Sequence, residues 1–154
     1  MKLIVQIPAL NEEETLETTI RSIPRAIPHV TSVEVLVIDD GSTDRTVEVA
    51  RKAGADHVLR MDSNVGLARA FTSGIEEALS LGADIIVNTD ADNQYCADDI
   101  PALIKPIIER EAQIVVGARP ITEVESFSPL KKLLQRLGSW FVRQASGSTI
   151  PDAP

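Results

Sequence analysis

Five short runs rich in valine and isoleucine, at residues 3–7, 33–38, 56–60, 84–88 and 113–117, recur along this chain with segments of helical spacing between them. These runs are nearly apolar throughout instead of alternating, which is the pattern of strands buried on both faces. Strand and helix in regular alternation predict an α/β fold: a Rossmann-like, mostly parallel sheet with helices on both faces and right-handed crossovers. At 154 residues one domain spanning 1–154 is expected, large enough to hold a core without disulfides.

The helices can be placed from their caps and stripes. The first is expected to begin with Asn11 as N-cap and Glu14 three residues on, with Leu16, Ile20 and Ile23 on one face and Pro24 near its end. The second follows Ser42 and Thr43, turns Val47 and Ala50 inward and stops at Gly54. The third, 66–81, has Ala68, Phe71, Ile75, Ala78 and Leu79 at core spacing. In the fourth, Ile100, Leu103, Ile104, Ile107 and Ile108 form a stripe that Pro106 should kink. Residues 118–129 read as a loop. Residues 129–147 read as a basic amphipathic C-terminal helix with Leu130, Leu133, Leu134, Leu137, Trp140 and Phe141 along one side.

Composition excludes several classes of function. The single cysteine, Cys96, has no internal partner, and no Cys/His cluster has zinc-ligand spacing, so a cytoplasmic setting is expected. No apolar run approaches the roughly 18 residues that span a bilayer. A net charge of −8 argues against non-specific nucleic-acid binding. The exception is 129–147, where Lys131, Lys132, Arg136 and Arg143 occur with no acid. There is no GxGxxG after the first strand and no GxxxxGK[ST]. His29 and His57 lack the neighbours of a nucleophilic site and read as structural or exposed.

In an open α/β sheet, ligands bind beyond the carboxyl ends of the strands, where strand order reverses. Three polar clusters fall at such ends: Pro8, Ala9, Leu10, Asn11 and Glu12; Asp39, Asp40, Gly41 and Ser42; and Asp90, Ala91, Asp92, Asn93 and Gln94. Two carboxylates one residue apart, followed by an amide oxygen, can supply oxygen ligands to a hard cation, Mg2+ or Mn2+, that also takes substrate phosphates. Two aspartates in a turn can equally stabilise only the loop. A carboxylate at Asp39 can accept the ring N–H of uracil or guanine, and Asp40 can order the turn. Both can instead favour a helix N-terminus that Ser42 caps. Arg119, after the fifth run, can reach donor phosphates bidentately or lie on the surface.

The segments IPALNEEETL, VLVIDDGSTDRT, NVGLARAF, NTDADNQY, VVGAR and SPLKKLLQRLGSW resemble the family 2 glycosyltransferases with a GT-A fold, over essentially the whole chain. Within that family the resemblance is to the branch of dolichol-phosphate mannosyltransferases and polyprenyl-phosphate sugar transferases. It implies inverting transfer of a sugar from a UDP- or GDP-linked donor to a lipid phosphate, at the cytoplasmic face of a membrane. It places Pro8, Leu10, Glu12, Val37, Asp39, Asp90, Ala91 and Asp92 at the nucleotide sugar. Asp90, Asp92 and Gln94 become metal ligands, and Asp92 and Arg119 the residues closest to catalysis. Lys131, Lys132 and Arg136 fall where relatives meet the acceptor phosphate, on a helix suited to a membrane surface; a solvated helix face is the simpler reading of the same charges. Cys96 stands where relatives often have proline. Relatives continue past the PDA stretch near Pro154, so the acceptor half is expected to be missing from this sequence. Two other functions stay open: a nucleotide-sugar-binding module without turnover, and a receiver-like phosphoacceptor domain using Asp39, Asp40 and Asp90 around magnesium.

Overall fold

In the computed structural model, which describes residues 1–117, the first four apolar runs form a parallel sheet in the order β3-β2-β1-β4. Its strands are β1 (Lys2–Ala9), β2 (Ser32–Asp39), β3 (His57–Arg60) and β4 (Ile85–Asn88). β1 pairs with β2 from Lys2↔Ser32 to Ala9↔Asp39, and with β4 from Leu3↔Ile85 to Gln6↔Asn88. The central position of β1 explains its run of buried residues, since neither its faces nor its edges meet water.

Successive side chains point to opposite faces, so each strand feeds two cores. On one face Leu3, Val5, Ile7, Val35, Val37 and Val87 pack beneath α1 (Leu16–Ser22), α2 (Thr46–Ala53) and α4 (Ile100–Ile108), which contribute Leu16, Ile20, Ala50, Ile100 and Ile104. On the other, Ile4, Leu36 and Ile38 lie beneath α3 (Leu67–Ser80) through Ala70 and Ala78. Helices on both faces of a parallel sheet are the arrangement that the alternating runs predict. Each fully buried Leu or Ile contributes roughly 1.5–3 kcal/mol, so these two layers hold the strand ends in place.

Several local expectations are corrected. Asn11 does not cap α1: it sits at φ 56°, and α1 starts after Thr15, with the Leu16 N–H bonded to Glu12 O (3.0 Å). The Asn11 side chain instead accepts from Thr43 N–H. The α3 stripe has a different phase, because its buried residues are Ala70, Gly74 and Ala78, while Ala68, Phe71 and Leu79 are exposed. The reason is space: a Cβ on Gly74 would come within 2.5 Å of Gln6 Oε1 and 2.7 Å of Ile38 Cδ1, so the helix presents its smallest residues to the sheet. Pro106 ends α4 more than it kinks it, since the helix stops two residues later and Glu111 N–H closes back on Pro106 O (2.8 Å). α2 does end at Gly54 in the left-handed conformation, as expected.

Residues 113–117 form no strand; the described sheet has four, and Ile114 and Val116 are 83% and 72% exposed. An extended segment becomes a strand only where a neighbour takes its N–H and C=O groups, and none of the described strands does so here. Met1–Gln113 forms one compact unit. The expected loop at 118–129 and helix at 129–147 lie outside the described residues. Among the described residues no helix is long and apolar enough to cross a membrane.

Candidate functional site

β2 and β3 lie to one side of β1 and β4 to the other, so strand order reverses between β1 and β4. A cleft of about 360 Å³ opens there, at the carboxyl ends of the strands. The end of β1 and the loop after it supply Pro8, Ala9, Leu10 and Glu12; the segment after β4 supplies Asp90, Ala91 and Asp92. Opposite them stand Asp40, following β2, and Asn64, Gly66, Leu67 and Ala70 at the start of α3. Another hollow of about 390 Å³, between the α1–β2 connection and Pro101, Lys105 and Ile108 of α4, shares none of these residues.

The loops around the cleft hold one another. Asn11 N–H donates to Ser42 Oγ (2.9 Å), Glu12 N–H to Thr46 Oγ1 (2.8 Å) and Glu13 N–H to Asp44 Oδ2 (3.2 Å). In return Thr43 N–H donates to Asn11 Oδ1 (2.9 Å), which is the work of the side chain expected to cap α1. Burial pushes the Asp44 carboxyl up, but hydrogen bonds from the Thr46 hydroxyl and from the Thr46 and Glu13 N–H groups hold it below the usual carboxylate range. The loop after β4 is tied to α1 by the Thr19 hydroxyl, which donates to Ala91 O (2.9 Å). A site whose positions are fixed before ligand arrives loses less on binding.

Asp39 and Asp40 diverge. Asp40 turns toward α3, where Oδ1 accepts from Val65 N–H (2.7 Å) and Oδ2 from Gly66 N–H (3.0 Å). Asp39 points to the opposite face, is completely buried and accepts from Ser42 N–H (3.2 Å). Its other oxygen has no hydrogen bond among the described residues, with Arg60 Nε 3.5 Å away. A receiver-like set of Asp39, Asp40 and Asp90 around one cation is therefore not formed.

Of the residues expected at a nucleotide sugar, Pro8, Leu10, Glu12, Asp90, Ala91 and Asp92 meet at this cleft. Val37 does not: it is wholly buried beneath the helices of the α1 face, because its place in β2 turns it away from α3. Asp39, completely buried, is also not among the residues lining the cleft. Gln94 is exposed outside the lining, and its N–H donates to Asp92 Oδ1 (3.1 Å), closing the turn that carries the acid pair. Arg119, Lys131, Lys132 and Arg136 lie outside the described residues. His57 is structural: Nε2 meets Glu34 Oε2 at 2.7 Å, and Glu34 also takes Lys2 Nζ at 2.9 Å. Sequence reasoning did not single out Asn64 and Gly66; the signal was the Asn-Val-Gly turn opening a helix.

The cleft carries four carboxylates, Glu12, Asp40, Asp90 and Asp92, and no basic side chain among its described lining residues. No group of three or more His, Cys, Asp or Glu fit to hold a metal occurs among the described residues. The residues that could hold a cation are instead a pair, Asp90 and Asp92, with a neighbouring amide. That suits Mg2+ or Mn2+, which bind through one or two carboxylates and complete their shell with substrate phosphates and water.

The sequence model of Glycosyl transferase family 2 matches residues 4–147. The chain belongs to this family. It is 30% identical to the undecaprenyl-phosphate mannosyltransferase of Micrococcus luteus, over 99% of this chain and 63% of that protein. With the dolichol-phosphate mannosyltransferase of Pyrococcus furiosus it shares 34% identity, over 88% of this chain and 39% of that one. Among solved structures, glucosyl-3-phosphoglycerate synthase from Mycobacterium tuberculosis in complex with Mn2+, uridine diphosphate and glucosyl-3-phosphoglycerate is similar. Its TM-score is 0.56 at 31% identity, covering 70% of this chain and 39% of that one. The chain thus spans 39 to 63% of the length of these relatives. The α/β fold expected from the resemblance to the GT-A family 2 enzymes is the one found.

Proposed function

We propose that this chain carries the donor site of an inverting, metal-dependent glycosyltransferase that moves a sugar from a UDP- or GDP-linked donor to a polyprenyl or dolichyl phosphate. The observation that carries this reading is the cleft at the β1/β4 reversal, lined by carboxylates and by no described cation. Among the described lining residues every charged side chain is acidic, so a diphosphate entering there meets repulsion that a bound cation would offset, and the Asp90/Asp92 pair is suited to hold one. The relatives named for polyprenyl-type phosphates and the solved synthase bound to Mn2+ and uridine diphosphate support the same chemistry.

In this reading Asp90, Asp92 and Gln94 hold Mg2+ or Mn2+. When bound, the cation supplies charge neutralisation at the leaving diphosphate. Pro8, Leu10 and Ala91 give apolar surface to the nucleotide, and Glu12 is an acceptor on its side. Arg119 is proposed to approach the donor phosphates. Lys131, Lys132 and Arg136 are proposed to meet the acceptor phosphate at a membrane surface. An acceptor phosphate oxygen attacks the anomeric carbon as the bond to the diphosphate breaks, which inverts that carbon. Because the acceptor is already ionised, no general base is required.

The test is transfer of sugar to a polyprenyl phosphate with Mn2+ present, with donor hydrolysis as control. Product of inverted configuration supports the proposal. Donor binding without transfer to any lipid phosphate assigns the chain as a binding module instead.

A further inference from the structure

We infer that Asp40 is a positioning residue of the donor cleft, acting by clamping the Ser63–Gly66 turn from which α3 and one cleft wall begin. This rests on the proposed donor site and adds a role to a residue whose carboxylate would otherwise be read as a ligand contact.

Asp40 is 4% exposed, and each of its oxygens takes a different backbone N–H, from Val65 at 2.7 Å and from Gly66 at 3.0 Å. A carboxylate buried to this degree is costly unless such bonds are made. Both donors precede the first turn of the 14-residue α3, where a negative charge is also favoured by the helix dipole. The two N–H bonds fix the orientation of the Asp40 carboxylate at the border of the cleft.

Gly41 makes the same attachment from the adjacent position. At φ 79° it brings backbone against backbone: a Cβ there would lie 2.5 Å from Ser63 C and 2.6 Å from Asn64 N. Met61 N–H, donating to Asp39 O (2.9 Å), fixes the segment before the turn. The end of β2 therefore grips the 61–66 segment at three consecutive residues, and that segment delivers Asn64 and Gly66 to the cleft and leads into Leu67. No side chain caps α3 at its N-cap, and the Gly66 N–H is shared between Asp40 Oδ2 and Asn64 Oδ1 (3.0 Å), whereas Val65 N–H goes to Asp40, so Asp40 is the tie from β2 that helps set where this helix starts.

The experiment compares the wild-type chain with Asp40→Asn, which keeps the shape but offers one acceptor to two donors. Val65→Pro is the second variant; it deletes one donor and leaves the acid in place. Binding of UDP- and GDP-sugars with Mn2+ is measured by calorimetry, and amide hydrogen exchange by mass spectrometry or NMR. Both variants are expected to bind donor about tenfold or more weakly. In Asp40→Asn, exchange at Val65 should accelerate by a similar factor, and at Gly66 by less because Asn64 Oδ1 still accepts its N–H, while β1 amides keep their protection. Wild-type affinity in either folded variant, or unchanged exchange at Val65 and Gly66 in Asp40→Asn, overturns the inference. If Asp40→Asn does not fold, Val65→Pro decides by its donor affinity. If the wild-type chain binds no donor, the proposed function fails, and the exchange comparison alone decides whether Asp40 clamps the turn.

Discussion

The backbone N–H of Glu12 donates to the hydroxyl of Thr46, 2.8 Å away, so the first loop of the cleft is held by the first residue of α2. Thr46 is completely buried, and its N–H and hydroxyl both donate to Asp44. Replacing it with valine keeps the volume but leaves the Glu12 N–H and an Asp44 oxygen short of a partner. Thr46→Val is expected to cost about 1–3 kcal/mol and to weaken donor binding by releasing Glu12. Thermal unfolding and donor titration measure the two effects; an unchanged melting temperature would show that the bond holds nothing.

Gly74→Ala should destabilise, although alanine is the better helix former by about 1 kcal/mol. The added methyl meets Gln6 Oε1 and Ile38 Cδ1 well inside van der Waals contact, and overpacking of this kind costs typically about 1–3 kcal/mol. Combining it with Ile38→Val opens room on one side, so the double variant should recover part of the loss. Chemical denaturation of the single and double variants checks this, and a stabilised Gly74→Ala would mean that α3 moves away from the sheet freely.

The sheet's first edge has its own acid sensitivity. Burial pushes the Asp56 carboxyl up, but the Val35 N–H (2.7 Å) and Arg25 (2.5 Å) outweigh it and hold the group below the usual carboxylate range. The Lys2 hydrogen bond first, and His57 second, lower Glu34 in the same sense. A carboxyl lowered by folding stabilises the protein above its unfolded pKa of about 4, and that contribution is lost as pH falls through the folded value. The Asp56 side chain is 37% exposed, so solvent screening keeps its share to about 1 kcal/mol or less. Urea midpoints at neutral pH and below pH 4 should differ less for Asp56→Asn than for wild type. An equal difference would remove Asp56 from the acid response.

The strands and the polar clusters at their ends were legible because both follow local rules: apolar runs bury, and parallel strands place all their carboxyl ends on one edge. What was not legible depends on contacts between distant segments. Nothing local to Asn11 shows that Thr43 will take its side chain, and nothing local to α3 shows that Ile38 and Gln6 leave room only for Ala70, Gly74 and Ala78. Asp39 and Asp40 look alike in sequence, yet strand alternation sends one to each face, and only Asp40 meets a turn twenty-five residues away. Val37 was assigned to the nucleotide by resemblance, whereas its register opposite Ile7 places it in the core.

The central claim is that the acid pair after β4 holds a cation and through it a nucleotide diphosphate. It is tested most directly by calorimetric titration of UDP- and GDP-sugars into the wild-type chain and Asp90→Ala, each with Mn2+ and with chelator. Asp90 is exposed, so its removal should shift stability by no more than about 0.5 kcal/mol. Wild type is expected to bind donor only with Mn2+, and Asp90→Ala to lose that binding at an unchanged melting temperature. Binding that persists in chelator, or that Asp90→Ala leaves intact, would contradict the claim.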